Sequence, residues 1–63
     1  EDAEDMISLY CNEGRYYMLT SQYSQAKESL SKCIDLQKKY YGYVEPHIQK
    51  WLNEVIETLN TTL

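Results

Sequence analysis

Apolar side chains recur at every third or fourth position along three segments of the chain, and only short breaks separate those segments. This spacing is that of an amphipathic helix that buries one face. We therefore predict helices over about residues 3 to 20, 22 to 41 and 46 to 61. No run alternates with the period of a strand over a useful length. The expected fold class is all-α.

The two breaks carry residues that end or begin helices. The tight connection at residues 20 to 22 contains Ser21, a residue type that caps the following helix. Gly42 is suited to ending the second helix, and Pro46 is suited to the first turn of the third. Because short connections make neighbouring helices antiparallel, we predict an antiparallel helical hairpin followed by a third helix.

Gly14 interrupts the apolar face of the first helix, where it costs about 1 kcal/mol of helix propensity relative to alanine. A small residue at such a position favours the close approach of another helix. Ala26 is the small residue on the facing helix. Larger side chains flank both positions, namely Tyr10, Tyr17, Tyr23 and Leu30.

This order of large and small residues resembles a tetratricopeptide repeat. The matching positions are Tyr10, Gly14, Tyr17, Tyr23, Ala26 and Leu30, with Cys33 in the last small position. The positions of Gly42, Pro46, Leu52 and Asn53 are similar to those in the longer repeat of kinesin light chains, with Leu52 standing 42 positions after Tyr10.

The resemblance implies that residues 1–63 form a single TPR-like helical domain, which we expect to be a fragment of a longer repeat array. Because one repeat cannot bury its faces alone, neighbouring repeats stack on each other. Several apolar side chains fall off the main stripes and would meet the next hairpin: Leu9, Tyr16, Leu19, Leu36 and Ile56. The alternative is the scattered apolar exposure that ordinary proteins show.

The same resemblance implies a protein–protein interaction module, an adaptor or scaffold that binds a peptide or partner protein in a groove. The implied groove positions on the first and third helices are Ser8, Cys11, Asn12, Arg15, Met18, Lys50, Asn53 and Glu57. Polar groups at these spacings can hold an extended peptide. The alternative is a polar face that only meets solvent. A protein of this family is expected to be cytoplasmic.

Other classes of function find little support in the sequence. With one histidine and no Gly-rich loop or nucleophile motif, we expect no catalytic residues, no enzyme activity and no cofactor. Two cysteines and His47 are too few for a convincing zinc site. Six scattered basic residues and a net charge of −4 argue against nucleic acid as a partner. No stretch is long and apolar enough to span a membrane.

Cys11 and Cys33 are each eleven residues from Gln22, so a hairpin turning there would place them opposite each other. A disulfide is then geometrically conceivable. For an intracellular fold we favour two small buried thiols instead.

Two further interpretations stay open. One is a homo-oligomerisation domain in which the third helix pairs with its copy, and its contact residues would be Trp51, Val55, Ile56 and Leu59. The other is a free-standing three-helix module of the microtubule-interacting-and-transport (MIT) kind, which binds a partner helix. The length fits this kind, but its usual aromatic and basic pattern is missing from the third helix.

Overall fold

The computed structural model describes residues 2–61, which form three α-helices and no strand. Helix α1 spans Ala3–Leu19, α2 spans Tyr23–Tyr40 and α3 spans Pro46–Thr61. Helices α1 and α2 pack closely as a hairpin, and α3 packs mainly against α2. The prediction of an all-α fold with a hairpin and a third helix is confirmed, with helix ends within one residue of those expected.

The turn between α1 and α2 differs from the prediction in one detail. Ser21 does not cap α2, because the N-cap residue is Gln22 and its side chain makes no capping bond. Ser21 instead has a φ of 62°, in the left-handed region. The N–H of Ser21 donates to the Met18 carbonyl at 3.1 Å, and that of Gln22 to the Tyr17 carbonyl at 2.8 Å. This pair of bonds is a Schellman motif that satisfies the end of α1, so Ser21 serves the helix before it.

The expected close approach of the two hairpin helices occurs at Gly14. A Cβ atom added there would lie 2.5 Å from Leu30 Cδ2 and 3.3 Å from the Leu30 backbone nitrogen. Leu30 is fully buried, so its side chain has little room to move away. The buried apolar residues around this contact form one cluster: Ile7, Ala26, Leu30, Cys33, Ile34, Ile48 and Val55.

The apolar residues off the main stripes have two different environments. Leu9, Tyr16 and Leu19 are 54%, 60% and 74% exposed along the outer side of α1. Leu36 is half-buried and packs against the core, and Ile56 is also half-buried. Several of the five therefore face solvent, as expected for this chain by itself. Their stacking on a further hairpin stays a prediction.

Replacing Gly14 with alanine tests the close approach. The added methyl group would overlap Leu30, and overpacking of this kind costs about 1–3 kcal/mol. The gain in helix propensity of about 1 kcal/mol opposes it. We expect a net loss of stability, measured by urea unfolding followed by far-UV circular dichroism. Gln25→Ala is the matched control, because Gln25 is exposed on α2 and its replacement should leave stability within about 0.5 kcal/mol. A Gly14→Ala variant more stable than the parent would contradict the close packing.

Candidate functional site

A groove of about 280 Å³ lies between α1 and α3, and we call it the α1–α3 groove. Its lining residues are Ile7, Ser8, Cys11, Asn12 and Arg15 from α1, Tyr41 and Glu45 from the connection after α2, and His47, Ile48 and Trp51 from α3. The α1 residues share one side of that helix because they are three or four positions apart. The groove thus collects polar, charged and aromatic side chains from two helices and a loop.

The structure brings together four of the residues predicted to form a groove, and it places the other four elsewhere. Ser8, Cys11, Asn12 and Arg15 line the α1–α3 groove, and Cys11 is half-buried there. Met18 packs against the core, and Lys50 is exposed on α3. Asn53 and Glu57 line a separate depression together with Ile56, Asn60 and Thr61.

The α3 side of the groove was not found from the sequence. His47, Ile48 and Trp51 form it, at spacings of three and four residues that put them on one face of α3. That face differs from the predicted one, which carries Lys50, Asn53 and Glu57. Trp51 is the feature of the sequence that could have identified this face as a binding surface, since tryptophan is enriched at interfaces. In the sequence, Trp51 is expected instead in a contact between two copies of the chain.

Arg15 and Trp51 meet across the groove. The guanidinium carbon of Arg15 lies 5.8 Å from the centre of the Trp51 ring, within the range of a cation–π interaction. His47 meets the same ring edge-on, with ring centres 5.1 Å apart. Within residues 2–61 the ion pair that forms joins Lys32 to Glu28, so Arg15 has no carboxylate partner there. Arg15 is exposed where it lines the groove, so its N–H donors are available to a ligand.

A buried amide holds the loop wall of the groove in place. Gln37 has no exposed surface, and its Nε2 donates to Glu45 Oε1 at 2.7 Å. The N–H of Glu45 donates to Gln37 Oε1 at 3.0 Å. The carbonyl of Glu45 then accepts from the N–H of Ile48 at 3.1 Å, in the first turn of α3. Gln37 thereby connects the core of α2 to the start of α3.

Tyr41 is exposed and lines the groove beside Glu45. Desolvation, followed by the negative charges of Glu4 and Glu45, raises the pKa of its phenol above the usual 10.0. The hydroxyl group therefore stays protonated throughout the neutral range and can donate a hydrogen bond into the groove.

Cys11 and Cys33 form a disulfide, with their Cα atoms 5.4 Å apart. The expectation of two free buried thiols is therefore wrong. The hairpin places the two residues opposite each other, as their equal distance from the turn implied. The two sulfur-bearing side chains differ in access, because Cys33 is fully buried whereas Cys11 lines the groove.

The described residues offer no candidate for a metal cluster or for a membrane span. Residues 2–61 hold no group of three or more His, Cys, Asp and Glu side chains that could bind a metal ion. Over the same residues, none of the helices combines the length and the apolar character that crossing a bilayer requires.

Comparisons of the chain with models of protein families, with curated proteins and with solved structures gave no match. The resemblance to tetratricopeptide repeats therefore rests on the order of large and small residues in the sequence.

Replacing Gln37 with leucine tests the support of the groove wall. The substitution keeps the buried volume but leaves the N–H and carboxylate of Glu45 without their partner. We expect a loss of about 1–3 kcal/mol of unfolding free energy, measured by urea titration.

Gln49→Leu provides the control for this substitution. Gln49 is exposed and donates to Asn53 Oδ1 at 3.1 Å, so the same chemical change should cost less than about 1 kcal/mol. Equal losses of unfolding free energy in the two variants would show that the buried amide of Gln37 contributes no more to stability than an exposed one.

Proposed function

We propose that this chain is a protein–protein interaction module whose α1–α3 groove binds an extended segment of a partner protein that carries an acidic side chain. The observation that carries the proposal is Arg15, which lies over Trp51 without an ion-pair partner within residues 2–61. An arginine held in this way offers paired N–H donors that match the geometry of a carboxylate.

The rest of the groove suits a peptide. The amide of Asn12 and the hydroxyl of Ser8 can donate to and accept from a peptide backbone, and both side chains are exposed. The half-buried Trp51 adds an apolar surface beside them. A volume of about 280 Å³ is just below the range of small-molecule sites, about 300–1,000 Å³, which supports recognition of one or two side chains of a longer segment.

We further propose that the hairpin is a tetratricopeptide unit in a longer array, acting as an adaptor or scaffold in the cytoplasm and not as an enzyme. The close contact at Gly14 supports this, because the small residue of such a repeat likewise lets the two helices of the hairpin approach closely. The exposed Leu9, Tyr16 and Leu19 support stacking of a further hairpin on α1. The net charge of −4 supports a protein partner in preference to nucleic acid.

Pairing of α3 with its copy is the weaker proposal. Of the four residues that would form that contact, Val55 has no exposed surface within the single chain, and Trp51 and Leu59 pack against its core. Val55 and Leu59 are thus already packed within the single chain, and Trp51 faces the α1–α3 groove. A module of the MIT kind is also less supported, because the groove here involves α1 and does not lie between α2 and α3.

An Arg15→Ala variant tests the groove. Random peptides displayed on phage would be selected against the chain, and the best binders synthesised for titration by fluorescence of Trp51. We expect Asp or Glu to be enriched, and we expect Arg15→Ala to weaken binding about tenfold to hundredfold, the effect of a hydrogen bond to a charged group. Arg15→Lys should be intermediate, since lysine keeps the charge without the planar fork.

Lys27→Ala is the charge-matched control, because Lys27 is exposed on α2 and does not line the groove. Its affinity should equal that of the parent chain. Amide NMR shifts on peptide addition should map to Asn12, Arg15 and Trp51. Shifts confined to Leu9, Tyr16 and Leu19 would show that the peptide binds outside the groove. Equal losses of peptide affinity in the Arg15→Ala and Lys27→Ala variants would contradict the role of Arg15.

A further inference from the structure

The disulfide and the α1–α3 groove share one residue. Cys11 is half-buried and lines the groove between Ser8 and Asn12, whereas Cys33 is enclosed in the core with no exposed surface. The two sulfur atoms of the bond are therefore unequal in their access to a reagent that enters the groove.

We propose that Cys11 is a site of reversible mixed-disulfide formation with small anionic peptide thiols. The thiolate of such a molecule attacks Cys11 Sγ, a new S–S bond forms between the two, and the Cys11–Cys33 bond breaks. The sulfur of Cys33 leaves with the electron pair of that bond and takes a proton from water. No external oxidant is needed, because the exchange conserves the number of disulfides.

Access determines which sulfur is attacked. Thiol–disulfide exchange requires the nucleophile to approach one sulfur in line with the bond. Cys11 can be approached from the groove, and Cys33 is covered by Leu30, Ile34 and the rest of the core cluster. The same core residues shield Cys33 from further reagent once the bond has opened.

Charge determines the class of thiol. Arg15 lies one helical turn after Cys11 on the same side of α1, and it has no ion pair within residues 2–61. An attacking molecule with carboxylates can pair with this guanidinium while its sulfur reaches Cys11. Asn12 and Ser8 stand beside the same path and can bond to its amide groups.

The hairpin retains noncovalent support when the bond is opened. Leu30 still packs against Gly14, and Ile7, Ala26 and Ile34 still form the core between and beneath the helices. The adduct on Cys11 would occupy part of the groove and so compete with a bound peptide. This last consequence rests on the proposed function, whereas the chemistry at Cys11 does not. Disulfides in reducing compartments are usually transient and redox-sensing, which is the behaviour proposed here for Cys11 and Cys33.

The deciding experiment uses the oxidised chain without substitution. It is exposed to a limiting amount of reduced glutathione, quenched with acid, alkylated and mapped by peptide mass spectrometry. We expect glutathione on Cys11 and the alkylating reagent on Cys33. An adduct mainly on Cys33, or no adduct together with an intact disulfide, would overturn the proposal. The result needs no bound peptide, so it is independent of whether the groove binds one.

Two single-cysteine variants give the reaction rate of each cysteine separately. Cys33→Ser leaves Cys11, Cys11→Ser leaves Cys33, and each is treated with oxidised glutathione after its helicity has been checked. We expect Cys11 to react at least about tenfold faster, as burial protects groups that react only after local opening. Equal rates in two folded variants would contradict the role of access. If either variant fails to fold, the mapping of the parent chain still decides.

Replacing Arg15 tests whether its charge, in addition to the access of Cys11, determines which thiols react. In the Arg15→Ala chain the rate of adduct formation with glutathione should fall about threefold to fivefold, the effect of one charge a few ångströms away that is screened by water. The rate with cysteamine, a thiol without a carboxylate, should not fall. Equal reductions for both thiols would refute the preference for anionic thiols. Peptide titration of the purified adduct then tests the competition separately.

Discussion

The contact between Gly14 and Leu30 sets the distance between α1 and α2, and the rest of the structure depends on that distance. Leu30 is fully buried against the backbone of α1, at a point where a single Cβ atom would overlap it. Such close packing places Cys11 opposite Cys33, with Cα atoms 5.4 Å apart. It also leaves the side of α1 that carries Ser8 and Arg15 turned towards α3.

The position of α3 depends on a polar interaction. Gln37 is buried within an otherwise apolar core, and both ends of its amide bond to Glu45. A buried polar group that is fully paired specifies one arrangement, because any shift leaves it unsatisfied at a high cost. Ile48 and Val55 are buried on the side of α3 that packs against the core. The groove is thus bounded by one helix held by close packing and another held by a buried amide.

The α1 half of the candidate site could be predicted, and the α3 half could not. Residues on one helix with spacings of three and four share a face in any fold, so Ser8, Asn12 and Arg15 remain together. Which face of α3 meets them depends on how far that helix is rotated about its axis. Periodicity alone suggested the face with Asn53 and Glu57, but the bonds of Gln37 and the burial of Ile48 turn the face with Trp51 towards α1.

Apolar spacing and short connections are sufficient to predict the three helices and the hairpin, because both are patterns among neighbours in the chain. Three features depend on the folded backbone, namely the left-handed Ser21 after α1, the bond between Cys11 and Cys33, and the position of Arg15 over Trp51. Each of these depends on the backbone conformation of a tight turn or on the relative orientation of two helices. Such orientations arise from packing between residues far apart in the chain, which local patterns do not specify.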